Sequence, residues 1–147
     1  MAHFAIGLTD GTVLLYRNFE QAVMSSGSLT ALPKPKVIHE SPAEPITGLG
    51  FREGVSGEPE YPQTDSANPT RTLMEVHLFI VTTNRVLLYH VSEKGSGSVP
   101  IVLDEVGCGL GCACMEHKDK DIIVAREEAI YLCGIEGRGS CYAYEGC

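Results

Sequence analysis

The chain has 147 residues, of which 44% are hydrophobic and 20% are charged, and this composition is that of a globular domain rather than of a disordered chain. No apolar run approaches the roughly 20 residues that a membrane-spanning helix requires, and the first residues lack the basic and apolar segments of a secretory signal peptide. The 19 acidic and 11 basic side chains give a net charge of −8. A nucleic-acid backbone or an anionic membrane surface would repel such a chain, so direct binding to either is not expected.

The first predicted element is a β-hairpin. Two apolar runs, Phe4–Thr9 and Thr12–Tyr16, flank the dipeptide Asp10-Gly11, which tolerates the positive φ angles of a type I′ turn. Similar patterns of two apolar runs around a short polar turn return at residues 77–91 and 121–133. The sequence therefore predicts three similar hairpins that belong to a structural repeat.

The spacing of the hairpins indicates the type of repeat. Ile80 and Ile123 are 43 positions apart, whereas Ile6 and Ile80 are 74 apart. Residues 52–73 are rich in proline and small polar residues, and we interpret them as a polar insert. Removing about 20 residues for this insert, and about 8 for a long first connection, leaves a period of roughly 45, which is typical of four-stranded β-propeller blades.

The predicted fold is therefore all-β, a partial WD40-like β-propeller. Residues 1–44 supply strands two to four of one blade, residues 45–106 form a four-stranded blade that carries the insert, and residues 107–147 form a second four-stranded blade. All three belong to one propeller domain over residues 1–147. Because the chain begins at the second strand of a blade, we interpret it as a fragment of a longer propeller whose uncovered sheet faces favour association.

Six cysteines lie in the last 40 residues. Zinc sites usually contain two closely spaced cysteine pairs, and the sequence has no second pair to complement Cys112 and Cys114. Since residues 110–115 are predicted to form a strand, these two thiols point to one face, and we expect them to be buried, reduced and unligated. A metal- or thiol-dependent activity of Cys108, Cys112 and Cys114 remains the alternative.

Sequence motifs for catalysis or ligand binding are weak. Gly107, Gly109 and Gly111 resemble a phosphate-binding loop, but no helical pattern follows, so close approach of the backbone explains these glycines better. Glu127 and Glu128 fit a solvated turn, while Tyr142 and Tyr144 share a strand face that we assign to packing rather than to ligand binding. The sequence thus predicts no catalytic residue, no cofactor-binding residue and no metal ligand, and it does not indicate an enzyme.

Several segments together resemble one family, the N-terminal propeller of vacuolar protein sorting-associated protein 11 (Pep5). They comprise residues 6–17, 45–51, 78–83, 103–114, 123–132 and 136–146. The segments at 103–114 and 136–146 are the most specific, because propellers in general do not share them. The resemblance covers nearly all of residues 4–17 and 37–146 except the insert.

The resemblance implies a non-catalytic scaffold of the HOPS and CORVET tethering complexes, which act in vesicle traffic and membrane fusion between endosomes and the lysosome or vacuole. The implied partners are other class C subunits and, indirectly, Rab GTPases and SNAREs. The implied location is the cytosolic face of late endosomes, the lysosome or the vacuole, with the membrane reached only through the complex. The family's zinc-binding RING domain is not among these segments, so no zinc or other cofactor is implied here. An unrelated propeller adaptor is the remaining alternative.

Overall fold

The computed structural model of the protein describes residues 3–17, 34–56, 73–91 and 99–143. The regular structure in these ranges consists of β-strands, with no helix, and the strands are β1 His3–Gly7, β2 Thr12–Arg17, β3 Lys36–Glu40, β4 Ile46–Ser56, β5 Leu73–Thr82, β6 Val86–Val91, β7 Ile101–Asp104, β8 Ala113–Met115, β9 Ile122–Ala125, β10 Ala129–Gly134 and β11 Gly137–Ala143. They form three antiparallel sheets in the orders β1-β2-β3, β4-β5-β6-β7 and β8-β9-β10-β11. The prediction of an all-β, partial propeller-like fold is confirmed.

The three sheets stack, and the second sheet lies in the middle with both faces covered. Its residues alternate between two apolar cores because successive strand residues point to opposite faces. Leu78 and Ile80 pack with Val13 and other residues of the first sheet. Phe79 and Val81 pack with residues of the third sheet, such as Val124. This two-sided burial explains why residues 78–81 form an uninterrupted apolar run.

The first strands of the second and third sheets approach each other closely. A Cβ atom at Gly48 would lie 2.9 Å from the Cβ of Ala113, and one at Gly50 would lie 2.6 Å from the Cγ of Met115. A Cβ at either position would overlap a side chain of β8 as it is placed, so glycine at both positions allows β8 to lie directly against β4.

The first hairpin is confirmed in place but its predicted type I′ turn is wrong. A type I′ turn needs positive φ at both central residues, and among the described non-glycine residues only Ala43 and Lys120 have positive φ. The turn instead spans Leu8–Gly11, with the Gly11 N–H donating to the Leu8 carbonyl at 3.2 Å and Gly11 at φ +89°. The Gly11 carbonyl accepts a hydrogen bond from the Ser41 N–H at 3.1 Å, so the turn geometry is adapted to the neighbouring connection.

The pairing of β4 with β5 extends further than the sequence indicates. β4 continues to Ser56 and β5 begins at Leu73, and these two residues are paired in the register. Residues 52–56 and 73 of the predicted insert therefore belong to the sheet, since a backbone ladder needs no apolar side chains to continue. The remainder, residues 57–72, lies outside the described residues. The division into blades at residues 44 and 106 stays a prediction.

The repeat between the second and third sheets is 44 residues rather than 43. The Thr82 N–H donates to the Arg85 carbonyl, and the Arg126 N–H donates to the Ala129 carbonyl, each at 2.9 Å. Thr82 therefore corresponds to Arg126, and Ile80 corresponds to Val124 and not to Ile123. Both strands are apolar on both faces, so a shift by one residue preserves the apolar pattern while it exchanges the two faces.

Candidate interaction surface

Five connections between strands meet at one side of the stack, because antiparallel strands alternate in direction. This side, here called the loop end, consists of residues 8–11, 41–45, 83–85, 105–112 and 126–128. Backbone hydrogen bonds join one connection to the next. The Ile46 N–H donates to the Leu8 carbonyl at 3.1 Å, the Thr83 N–H to the Pro45 carbonyl at 3.2 Å, and the Cys108 N–H to the Thr82 carbonyl at 3.1 Å. The loop end is thus a continuous hydrogen-bonded surface that spans all three sheets.

A partly buried ion pair strengthens this surface. The Arg85 Nε donates to both carboxylate oxygens of Glu44, at 3.1 and 3.0 Å, and its Nη2 donates to Oε1 at 2.7 Å. Glu44 is buried. The hydrogen bonds from Arg85 lower the pKa of the Glu44 carboxyl and raise the pKa of the Arg85 guanidinium. Both groups are therefore charged at neutral pH, and the pair ties the 41–45 connection to the β5–β6 turn.

The β5–β6 turn is itself braced by a buried hydroxyl. The Thr82 Oγ1 accepts hydrogen bonds from the backbone N–H of Asn84 at 3.1 Å and of Arg85 at 2.9 Å. Thr82 has no exposed surface. The turn therefore holds Arg85 in the orientation that reaches Glu44.

A cavity of about 580 Å³ opens at the loop end between the second and third sheets. Its lining consists of Thr83, Cys108, Gly109, Cys112, Ala125, Arg126, Glu127 and Glu128. Arg126 is fixed within it, since Nη1 donates to the Gly107 carbonyl at 3.0 Å and Nε pairs with a Glu128 carboxylate oxygen at 2.9 Å. Glu127 is exposed at the rim. The exposed lining thus includes the Glu127 carboxylate, the Thr83 hydroxyl and the Cys112 thiol, and this polar surface suits contact with a polypeptide.

The cavity offers little for nucleophilic chemistry. Cys108 is only 5% exposed, and burial raises the pKa of its thiol. A protonated thiol is a weak nucleophile. Among the described residues of the lining, no base lies within hydrogen-bonding distance of this thiol. The arrangement favours binding over catalysis.

The cysteines fall into two environments. Cys108 and Cys133 are buried, whereas Cys112, Cys114 and Cys141 are exposed, and all five are free of disulfides. The prediction that Cys112 and Cys114 are buried is wrong, because Ala113 and Met115, not Cys114, face the second sheet. Cys112 lies before β8, directly after Gly111 with φ +80°. Cys147 lies outside the described residues.

Other predicted residues are also more exposed than expected. Tyr142 is 60% exposed, so the packing predicted for it is not observed, and Tyr144 lies outside the described residues. Of the loop glycines, Gly107 makes the predicted close backbone approach, whereas nothing lies within 4 Å of a Cβ at Gly109 or Gly111. In the described part of the chain, no three His, Cys, Asp or Glu side chains are grouped so that they could hold a metal ion.

A second ion pair joins the outermost strands of the second and third sheets. The Arg138 Nε lies 3.1 Å from the Asp104 Oδ2, and the guanidinium lies 5.3 Å from the ring centroid of Tyr131. The Cys133 thiol donates to the same Asp104 oxygen at 3.9 Å, and burial raises its pKa to about 11. This thiol therefore stays protonated at neutral pH and supports the buried carboxylate.

The sequence offers no local signal for these two ion pairs, because the partners are distant in the chain and only the fold brings them together. Glu44 and Arg85 are separated by 41 positions. The alternating direction of the predicted strands does indicate that both residues lie at the same side of the sheets, because each lies in a connection at that side. The choice of Arg85 as the partner of Glu44 depends on the register of β4 with β5, which places Ile46 opposite Thr82 and which the pattern alone does not give.

Comparison with known proteins identifies the family. The sequence matches the family described as PEP5/VPS11 N-terminal over residues 1–147. It is 36% identical over 146 residues to the vacuolar protein sorting-associated protein 11 homologs of Mus musculus and Homo sapiens, and these matches cover 97% of this chain and 12% of each relative. Identity to the Dictyostelium discoideum homolog is 30% over 148 residues, which covers 99% of this chain and 13% of the relative. The chain therefore spans about an eighth of the length of these relatives.

Within the residues that the structure describes, no helix has the length and hydrophobicity needed to cross a membrane. The stacked antiparallel sheets agree with the fold that the resembling segments imply. The family match extends over all of those segments, so the resemblance is confirmed. This chain belongs to the PEP5/VPS11 N-terminal family.

Proposed function

We propose that this chain is a non-catalytic propeller scaffold in vacuolar protein sorting, the process named in its relatives. Its place is within the HOPS and CORVET tethering complexes, where it contacts other class C subunits and, through them, Rab GTPases and SNAREs. It acts on the cytosolic face of late endosomes and of the lysosome or vacuole, and reaches the membrane through the complex. Its net charge of −8 disfavours a direct role on nucleic acid.

The observation that supports this proposal most strongly is that charged side chains at the loop end bond to other parts of the same chain. The Glu44–Arg85 pair ties the 41–45 connection to the β5–β6 turn, and Arg126 ties the 126–128 turn to the Gly107 carbonyl. The side chains that an enzyme would use to bind or activate a substrate therefore serve to fix the shape of the surface. A scaffold needs such a surface, because a partner loses less binding free energy when the interface is already ordered.

The thiols support the scaffold over the thiol- or metal-dependent alternative. Cys108 is buried with a raised pKa, whereas Cys112 and Cys114 are exposed. Cys114 belongs to β8 and faces away from the core that contains Cys108. The fold thus turns Cys114 away from Cys108, and although Cys108 and Cys112 line the same cavity, the buried Cys108 thiol is held protonated by its raised pKa.

Co-purification from cells tests the proposal. We expect the tagged chain to recover class C subunits and to localise to late endosomes and lysosomes. Glu127→Lys at the loop end should reduce this recovery by about fivefold, equivalent to about 1 kcal/mol. Lys118→Glu in the turn at the opposite side of the third sheet is the matched control and should leave recovery unchanged. Recovery of no class C subunit, or equal losses in both variants, would contradict the proposal.

A further inference from the structure

Two histidines face each other across the β5–β6 pair of the second sheet. His77 of β5 and His90 of β6 are directly opposite in the antiparallel register. Their ring centroids lie 4.9 Å apart, and the ring planes are inclined by 39°. Because His77 alternates in step with Phe79 and Val81, which pack on the third sheet, both imidazoles lie on the face that meets this sheet. His77 is half-buried and His90 is exposed, so the pair lies between the apolar core and solvent.

The separation of the two rings matches that of two ligands of one metal ion. A bond of about 2.0–2.1 Å from metal to nitrogen, with roughly 1.1 Å more to the ring centre, places each centroid about 3.2 Å from the ion. At angles of about 90–109°, the range from octahedral to tetrahedral geometry, two such centroids lie about 4.5–5.2 Å apart. The observed 4.9 Å falls within this range. Because the χ2 torsion of histidine is broad, rotation of the rings can turn one nitrogen of each towards a shared ion.

The charges around the histidine pair favour a cation. Arg52 lies opposite His77 in the β4–β5 register, but one of its guanidinium nitrogens lies 3.6 Å from an Asp121 carboxylate oxygen, so these two charges offset each other. Glu75 lies on the same face of β5, two residues before His77, and its negative charge acts on that imidazole. Together these three groups leave one negative charge beside the pair, and this charge attracts a cation.

The His77 imidazole is available as a metal ligand at neutral pH. Burial is the main cause that lowers its pKa, and the neighbouring His90 and Arg52 act in the same direction. His77 is therefore uncharged at neutral pH, and an uncharged imidazole keeps a nitrogen lone pair that can bind a metal. In the parts of the chain that the structure describes, neither ring is engaged in a hydrogen bond or an ion pair. The pair thus has ligand capacity that the fold leaves unused.

We propose that His77 and His90 form a two-histidine site for a divalent transition metal of the zinc type, with water in the remaining coordination positions. Imidazole nitrogen suits such ions, whereas Mg²⁺ and Ca²⁺ take oxygen ligands. The two ligands come from adjacent strands, so a bound ion fastens β5 to β6 next to Val76–Val91, the last pair of their ladder. The strand register, and not a sequence motif, brings the two histidines together. The inference is independent of the proposed function.

Zinc titration of the full chain, followed by NMR of the histidine side chains and by calorimetry, tests the proposal. Prior treatment with iodoacetamide removes the exposed thiols as competing ligands. We expect Zn²⁺ to shift the imidazole signals of His77 and His90 together, and Mg²⁺ at the same concentration to leave them in place. His77→Asn and His90→Asn should each weaken Zn²⁺ binding at this site by more than about tenfold, because the second imidazole of the pair binds at a high effective concentration.

His117→Asn is the matched control, because His117 is exposed in the connection between β8 and β9 and should leave the affinity unchanged. Circular dichroism establishes that each variant is folded, and the exposed His90 provides a second variant if His77→Asn does not fold. Affinity should fall by about tenfold or more between about pH 7.5 and 5.5, since protons compete for the imidazoles. Histidine signals that do not move with Zn²⁺, equal affinities in the wild type and a folded single variant, or an equal loss in His117→Asn would each overturn the proposal.

Discussion

Replacing Gly107 by alanine should displace the 105–112 connection from the β5–β6 turn. A Cβ atom at this position would lie 2.5 Å from the Asn84 nitrogen and from the Thr83 carbonyl carbon, and closer still to the Thr82 oxygen. All three are backbone atoms, which cannot rotate away as the end of a flexible side chain can. The connection itself must therefore move.

The cost follows from the contacts that this movement disturbs. Overpacking of this kind costs about 1–3 kcal/mol. Two hydrogen bonds depend on the same placement, from the Cys108 N–H to the Thr82 carbonyl at 3.1 Å and from Arg126 to the Gly107 carbonyl at 3.0 Å, and each contributes about 0.5–1.5 kcal/mol. We expect the free energy of unfolding to fall by about 3 kcal/mol, which lowers the Tm of a chain of this size by roughly 10 °C.

Urea denaturation followed by circular dichroism measures this loss, with Gly109→Ala as the matched control. Gly109 is two residues away, has no atom within 4 Å of a Cβ, and does not have positive φ. Alanine there should leave the free energy of unfolding unchanged or raise it by about 0.5 kcal/mol. Equal midpoints for the two variants would refute the argument that the backbone approach at Gly107 holds the connection in place.

Three further predictions concern charged, imidazole and thiol groups. Arg85→Ala should lower the free energy of unfolding by about 2 kcal/mol near neutral pH. The loss should be smaller in acid, because the lowered pKa of Glu44 gives stability that is present above pH 4.5 and disappears as the carboxylate is protonated. Equal losses at neutral and acidic pH, measured by denaturation, would show that the ion pair is unimportant. Burial lowers the pKa values of His3, His39 and His77 below 6.5, so the unfolded chain binds protons before the folded chain does. The free energy of unfolding should therefore fall as the pH drops below 6.5. This fall should be shallower in the His77→Asn variant. Mass-spectrometric mapping of alkylation should find the exposed thiols of Cys112, Cys114 and Cys141 labelled in the native protein, and those of Cys108 and Cys133 only after unfolding; native labelling of Cys133 would contradict its burial.

The hairpins could be predicted because their signals are local. Asp10 and Gly11 lie between two apolar runs, and the turn between those runs is where the sequence places it even though its type differs. Alternation along the strand predicted over residues 110–115 also places Cys112 and Cys114 on one face. It does not show which face meets the second sheet, because that depends on the stacking of neighbouring strands, and the prediction of their burial failed for this reason.

The one-residue error in the repeat has a similar cause. Ile122, Ile123 and Val124 are all aliphatic, so the sequence aligns Ile80 with more than one of them equally well. Only the backbone hydrogen bonds of the two turns decide between the alternatives. The ion pair between Glu44 and Arg85 was missed because the geometry of two connections, rather than any sequence spacing, brings the partners together.

The burial of the second sheet on both faces has a consequence for how the protein opens. β5 is hydrogen-bonded on both sides, to β4 and β6, and residues 78–82 have no exposed surface. Backbone amides here can exchange with solvent only when the whole stack comes apart, whereas β3, β7 and β11 are edge strands whose amides can exchange through local fraying. The rate of hydrogen exchange should therefore fall from the edge strands towards β5. The second sheet should exchange slowly, while the first and third sheets on either side of it open separately. A binding partner that loosens one outer sheet would leave the packing of the other outer sheet on the second sheet intact.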